Sequence, residues 1–201
     1  MIRIIDRYVI KELGPPFAIG VGVSYVLSNV KLSRKGQVPP AVSNGNLDLE
    51  ADGHGFEFDA GVLVKPTSKL SFGVSYRHSN KIDFDGTATF TNMAPLSSYF
   101  PGGTGKTTIT FPNNIFAGVA FQATTELILE ADFQWVAWTK YDTLNISLPI
   151  GPVFPAAGRP LQGPSAAPKN WENSFLLRLG GQYQLEKVAL RAGFVYDKTP
   201  Q

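Results

Sequence analysis

Segment after segment of this chain alternates apolar side chains with small or polar ones at a period of two, and the connections between segments are alternately tight and long. The clearest segment opens at Phe17. There Phe17, Ile19, Val21, Val23, Tyr25 and Leu27 fall on one face of an extended strand, with Ala18, Gly20, Gly22, Ser24 and Ser28 on the other. An apolar face of this kind belongs either to the core of a soluble sheet or to a wall against lipid, and the connections favour lipid. Antiparallel strands joined in sequence put successive connections at opposite ends, and membrane barrels keep one end to tight turns while loops grow at the other. A tilted span takes about 9 to 11 residues, and each segment reaches that length. The expected fold is therefore all-β, an antiparallel up-and-down transmembrane β-barrel segment with its apolar side chains outward.

About seven such strands follow one another. After the first, residues 34–53 are polar and rich in Gly, Pro and Asn and read as a long loop. Phe56, Phe58, Ala60, Val62 and Val64 then face outward against Glu57, Asp59, Gly61 and Lys65, ending in the turn Pro66-Thr67-Ser68. Leu70, Phe72, Val74 and Tyr76 return, with the alternation continuing through Phe84 to Phe90, and a second long loop is expected at residues 92–106. The fourth strand carries Ile115, Ala117, Val119 and Phe121, and the fifth Leu127, Leu129, Ala131, Phe133 and Trp135, with a turn at Thr124-Thr125. A Pro/Gly/Ala-rich loop at 149–169 precedes a sixth strand marked by Trp171, Phe175, Leu177, Leu179 and Tyr183. Glu186-Lys187 turns the chain into a seventh, with Val188, Leu190, Ala192, Phe194 and Tyr196 outward. Trp135, Trp171, Tyr76, Tyr141, Tyr183 and Tyr196 lie toward segment ends, where an aromatic girdle meets headgroups.

The start of the chain departs from this pattern. Lys11, Glu12, Pro15 and Pro16 interrupt what would be the apolar core of a signal peptide, so residues 1–16 read as a separate leader, a short amphipathic helix or a disordered segment. No apolar run reaches the ~18 residues of a transmembrane helix. The opening MIRIIDRYVIKELGPPF resembles the first residues of the inner-membrane permeases that export lipopolysaccharide, over less than a tenth of the chain.

The remainder, residues 17–201, carries a broader resemblance. The runs GFEFDAGVLVKPTSKLSFGVSYRHSNKIDFDGTATF from Gly55, FPNNIFAGVAFQATTELILEADFQWVAWTKYD from Phe111, and LRAGFVYDKTP from Leu190 are similar to the outer-membrane transporters of long-chain fatty acids and aromatic hydrocarbons, the FadL family. The resemblance implies a fourteen-stranded monomeric barrel, plugged by an N-terminal hatch, that passes hydrophobic molecules through a lateral opening. This chain has no room for the hatch and stops just after Asp197 to Pro200, where members continue into further strands. Replacement of one gene's start by another's would produce that arrangement, leaving a partial barrel that closes by self-association, by a second chain, or not at all.

Several chemistries are disfavoured. The net charge of +2 gives no footprint for nucleic acid, cysteine is absent, and the two histidines, His54 and His78, lack metal-ligand spacing. Pro101 to Thr107 resembles a phosphate-binding loop, but Phe100 stands where the pattern needs Gly, and a flexible external loop is the better reading. Glu130 and Asp132 are ordinary lumen polarity rather than a catalytic pair. No catalytic residue, metal or cofactor is expected. A transporter of amphipathic acids would instead hold the carboxylate with cations, and the lumen-phase cations are Arg77, Lys81, Arg178 and Arg191; pairing with Glu130, Asp132, Glu172 and Asp197 is the alternative role for them. The expected partners are outer-membrane lipid and a hydrophobic small molecule such as a fatty acid or aromatic hydrocarbon, in passive transport across the bacterial outer membrane. Two other readings stand beside it: a truncated barrel fragment without transport, and a soluble β-protein with a lipid-binding cavity.

Overall fold

The computed structural model describes residues 2–14, 16–38 and 42–200. The strands in chain order are β1 (Ile2–Gly14), β2 (Phe17–Val38), β3 (Val42–Thr67), β4 (Leu70–Arg77), β5 (Lys81–Thr91), β6 (Gly103–Thr110), β7 (Asn114–Gln122), β8 (Leu127–Val136), β9 (Thr143–Ser147), β10 (Val153–Phe154), β11 (Arg159–Pro160), β12 (Ser165–Pro168), β13 (Ser174–Leu185) and β14 (Val188–Asp197). Among the described residues the helical elements are two short 3-10 turns, Ser97–Tyr99 and Trp138–Lys140, and no helix is long and apolar enough to cross a membrane.

Eight strands, β1, β2, β3, β4, β7, β8, β13 and β14, lie side by side and antiparallel as a wall that does not close on itself. Register fixes its two faces. Ile19, Val62, Val74, Ala117, Phe133, Leu177 and Tyr196 are successive cross-strand partners and form one outward row. The parallel inward row is Gly20, Gly61, Ser75, Phe116, Gln134, Leu176 and Asp197. Val74 is 54% and Phe194 62% exposed, and such apolar exposure across a whole face is what a lipid-contacting wall presents. Tight turns join the strands at one end. The Thr124 hydroxyl holds the β7–β8 turn by accepting the N–H groups of Glu126 and Leu127 at 3.1 and 3.0 Å, and Glu186 takes a positive φ of 41° in the β13–β14 turn.

At the other end the sheet forks. The lower half of β3 pairs with β4 and its upper half with β5, and a second fan continues through β6 and β9 to β12. Between the two registers β3 retreats five residues (59 to 54) while the partner advances six (77 to 83). The extra residue turns every later side chain of β5 to the opposite face. His78 N–H still bonds the Phe58 carbonyl at 2.8 Å and Ser79 N–H the Asn113 side chain at 2.6 Å, so the irregular stretch is held on both sides.

Several expectations change. Residues 2–14 form neither a helix nor a disordered leader; they pair with β2 from Ile2↔Ser28 to Gly14↔Phe17, because the β2 edge offers a full row of backbone groups to satisfy. Met1 and Pro15 lie outside the described residues. Residues 34–53 are not a loop: β2 and β3 continue their ladder up to Gly36↔Gly45, since Val30 and Leu32 alternate with Lys31 and Ser33 well past the wall. Pro39, Pro40 and Ala41 at its tip lie outside the described residues. The phosphate-loop-like segment is no flexible loop either, because β6 begins at Gly103 and pairs with β5. The 149–169 loop contains β10, β11 and β12. Trp171 precedes the sixth predicted strand, which starts at Ser174, and packs edge-on against Trp138 and Tyr141 at 5.0 and 5.3 Å.

Candidate functional site: the inner face

The chemistry of the two faces inverts along the wall. In β2 the outward side chains run Ile19, Val21, Val23 and Leu27, then Asn29, Lys31 and Ser33; the inward ones run Gly20, Gly22 and Ser24, then Val26, Val30 and Leu32. β3 inverts at the same level, from outward Phe58 and Phe56 to Asp52 and Glu50. Above the inversion the outer surface is an ion-pair and hydrogen-bond lattice. Lys31 pairs with Glu50, Lys106 Nζ with Asp85 Oδ1 at 2.6 Å, and Asn29 and Thr108 donate to Asp52 and Asp83 at 2.9 and 2.6 Å. This polarity belongs in water or among headgroups and marks the upper limit of the hydrocarbon layer.

On the inner side of that upper fan, β2, β3, β5, β6 and β9 enclose an apolar pocket of about 120 Å³. Val30, Leu32, Leu49, Phe84, Ile109 and Ile146 supply its walls. Through Phe84 it adjoins the buried cluster of Val26, Ile82 and Phe84, with Ile82 only 1% exposed. Two glycines set its shape. A Cβ on Gly86 would come within 2.1 Å of the Glu50 carbonyl oxygen, and one on Gly53 within 2.6 Å of the Phe84 ring, so only glycine lets these strands and side chains approach. A second apolar cluster, Met93 and Leu96 with Phe90, Tyr99, Phe100 and Leu161, packs the connection after β5. Gln162, itself buried, ties this region down by donating to the Pro149 carbonyl at 2.9 Å and accepting from Gly102 N–H at 3.2 Å.

Below the inversion the inner face is a concavity of about 670 Å³ against β1, β2, β3, β4, β7, β8 and β13. Its floor is small, with Gly20, Gly61, Gly73 and Gly118, and its charged members are Asp59, Asp132 and Arg178. Asp132 lies over Gly118, where a Cβ would meet Oδ1 at 2.5 Å. Asp59 Oδ2 is sealed from solvent and has no hydrogen-bond partner.

The four cations expected in the lumen are not gathered into one site. Arg77 closes β4 and its Nε sits 3.1 Å from Glu57 Oε1. Arg178 on β13 donates from Nη2 to Gln134 Oε1 at 3.0 Å, and Arg191 on β14 from Nε to Gln182 Oε1 at 2.6 Å. Lys81 does not face the lumen. The one-residue slip before β5 places it on the outward phase with Asp83, 4.0 Å away, while Ile82 and Phe84 turn inward. Phe84 therefore leaves the outward set to which its alternation with Tyr76 assigns it. The alternative pairing is also not seen: Arg77, Arg178 and Arg191 engage Glu57, Gln134 and Gln182, while Glu172 is 3.9 Å from Lys198. Among the described residues no group of His, Asp and Glu could hold a metal ion.

A family model described as outer membrane protein transport protein (OMPP1/FadL/TodX) matches residues 12–201. The chain belongs to this family. Solved FadL/TodX structures share its fold. The toluene transporter TbuX of Ralstonia pickettii matches with a TM-score of 0.69 and 18% identity, over 98% of this chain and 56% of that one. A FadL homologue of Pseudomonas aeruginosa matches at 0.74 and 20%, over 99% and 50%. The toluene transporter TodX of Pseudomonas putida matches at 0.65 and 16%, over 99% and 56%. The chain thus spans about half the length of the FadL/TodX structures it matches. No curated protein sequence matches it. The FadL/TodX family is one of outer-membrane transporters of hydrophobic compounds rather than of enzymes. Sequence reading located the polar lumen floor, including Asp59 and Asp132. It missed the upper apolar pocket, whose signal was the continued alternation of Val30 and Leu32 with Lys31 and Ser33.

Proposed function

We propose that the chain forms part of a wall in the bacterial outer membrane along which hydrophobic compounds, long-chain fatty acids or aromatic hydrocarbons, pass passively from outside into the cell envelope. The observation that carries this is the inversion of the faces. An apolar solute leaving water meets an aliphatic pocket on the inside of the charged upper fan, then a lumen floored by glycine below it. Such a graded path needs neither a catalytic group nor an energy source.

The test is uptake of labelled toluene and labelled laurate by cells lacking their own porter and expressing the chain. Uptake above the empty vector supports transport, and vector-level uptake of both refutes it. A second reading, a non-transporting barrel fragment, has an observation of its own: β1 and β14 each keep an edge with no strand beside it among the described residues. Unpaired backbone groups facing hydrocarbon cost several kcal/mol each, so further strands would have to cover those edges for the wall to persist in a bilayer. The soluble reading, with a lipid-binding cavity, predicts that the outward row tolerates charge as well as the inward row does.

A further inference from the structure

We propose that Asp59 and Asp132 make the lumen selective by charge, passing uncharged hydrophobic molecules and turning back carboxylate amphiphiles. This deepens the transport reading and rests on it. Both carboxylates face the same concavity, with Arg178 as the cation beside them. The guanidiniums in register with them bond to other partners. Arg178 stands opposite Asp132 but gives Nη2 to Gln134, and Arg77 stands opposite Asp59 but is bonded to Glu57. Asp59 keeps an oxygen without any donor. The concavity thus holds two carboxylates against one guanidinium, whose charge Gln134 does not neutralise, so its net charge is negative, and a further anion in such a path is repelled the more strongly the lower the local dielectric.

The pocket above points the same way. Its walls are aliphatic and aromatic, and the nearby charges of Lys31, Glu50 and Lys106 are spent on the opposite surface of the fan. Its volume of about 120 Å³ is on the scale of the dry cavity of ~150 Å³ that holds benzene in an engineered protein core. A neutral apolar molecule suits both compartments; a carboxylate suits neither.

The experiment compares uptake of labelled toluene, dodecanol and dodecanoate by cells expressing the full chain, and repeats it with the double variant D59N/D132N. For the unmodified chain, toluene and dodecanol are expected above the empty vector and dodecanoate at its level. In the double variant, toluene uptake is expected to stand while dodecanoate uptake rises about tenfold, the effect of removing a like charge about 12 Å away at an effective dielectric of ~20. Dodecanoate passing the unmodified chain as fast as dodecanol overturns the proposal. So does exclusion of dodecanol together with dodecanoate, because length and not charge would then discriminate. Dodecanoate still excluded by a double variant that passes toluene overturns the assignment to these two residues. Should the variant fail to assemble, the dodecanol-to-dodecanoate comparison on the unmodified chain decides alone. If none of the three compounds enters, it is the transport reading that fails.

Discussion

β1 carries the sharpest energetic conflict in the molecule. Its register places Arg3, Arg7 and Lys11 on the outward face beside Leu27, Val23 and Ile19, in the phase that every other wall strand fills with apolar side chains. Arg7 is the most exposed to the consequence. Its neighbour Val23 pairs on its other side with Phe58, below the level where β2 and β3 invert, whereas Arg3 sits at that level and Lys11 approaches the tight-turn end. A lipid-facing Arg costs about 2 to 4 kcal/mol at the midplane of a barrel wall and about 0 to 1 near the interfaces. Arg7→Leu should therefore stabilise the chain in a bilayer by about 2 kcal/mol or more. Arg3→Leu and Lys11→Leu should each contribute less than about 1 kcal/mol. The assay is urea unfolding of chain refolded into phosphatidylcholine vesicles, followed by the emission of Trp135, Trp138 and Trp171. Glu12→Gln, on the inward face of the same strand, is the control and should change little. A shift under about 0.5 kcal/mol for Arg7→Leu would refute the placement of β1 in the wall and mean that the segment leaves the β2 edge in lipid.

Three further outcomes are expected. Val21→Arg and Phe133→Arg should each cost about 2 to 4 kcal/mol in the same vesicles, while Gly20→Ser and Ser75→Arg are tolerated; equal tolerance on both faces in urea titrations would remove the lipid-facing wall. Gly86→Ala forces a Cβ against the Glu50 carbonyl, a backbone clash that should destabilise the upper fan by about 3 kcal/mol and expose β5 and β6 to protease while the wall stays protected. The Glu126 carboxyl, in the β7–β8 turn, is held below its ordinary value of 4.5 by hydrogen bonds from the Thr125 and Thr124 hydroxyls. A carboxyl lowered in the folded state adds stability above its unfolded pKa, and that contribution is lost as pH falls through the folded one; an NMR titration should find the midpoint below 4.5, with Thr125→Ala moving it back toward that value.

The wall was legible because β2, β7, β8 and β14 alternate without interruption and end at turns whose residues announce themselves, such as Thr124 and Glu186. What stayed hidden depended on contacts between strands. Nothing in His78-Ser79-Asn80 signals a slip, since the stretch contains neither Gly nor Pro; the slip exists because Phe58 and Asn113 on other strands fix its backbone. Parity alone therefore puts Lys81 in the lumen, whereas it lies outside. β1 was hidden for the opposite reason. Its own residues argue against a lipid-facing strand, with cations at every fourth position in the outward phase, and only the waiting edge of β2 makes it one. For the lumen, sequence parity located Asp59, Asp132, Arg77 and Arg178, but partner choice among them is set by side-chain reach across the sheet, which parity does not encode.

The inversion along β2 and β3 joins these points into one physical statement. A single strand obeys two opposite rules, apolar outward through Leu27 and apolar inward from Val26, because it crosses from a solvent that rejects charge to one that rejects hydrocarbon. The change of rule is confined to the stretch between Val26 and Asn29, so the membrane surface is fixed along the strand to about one turn of the alternation. The upper pocket follows from the same constraint. Once water lies outside the fan, its aliphatic side chains have only the inner face to occupy. The tight backbone approach at Gly86 and the packing of Phe84 over Gly53 then shape that face into a pocket of about 120 Å³ instead of a filled core. An apolar surface kept open above a charged lumen has no stabilising function that a filled core would not serve better. That is the physical argument for treating the pocket as a place where a hydrocarbon is received.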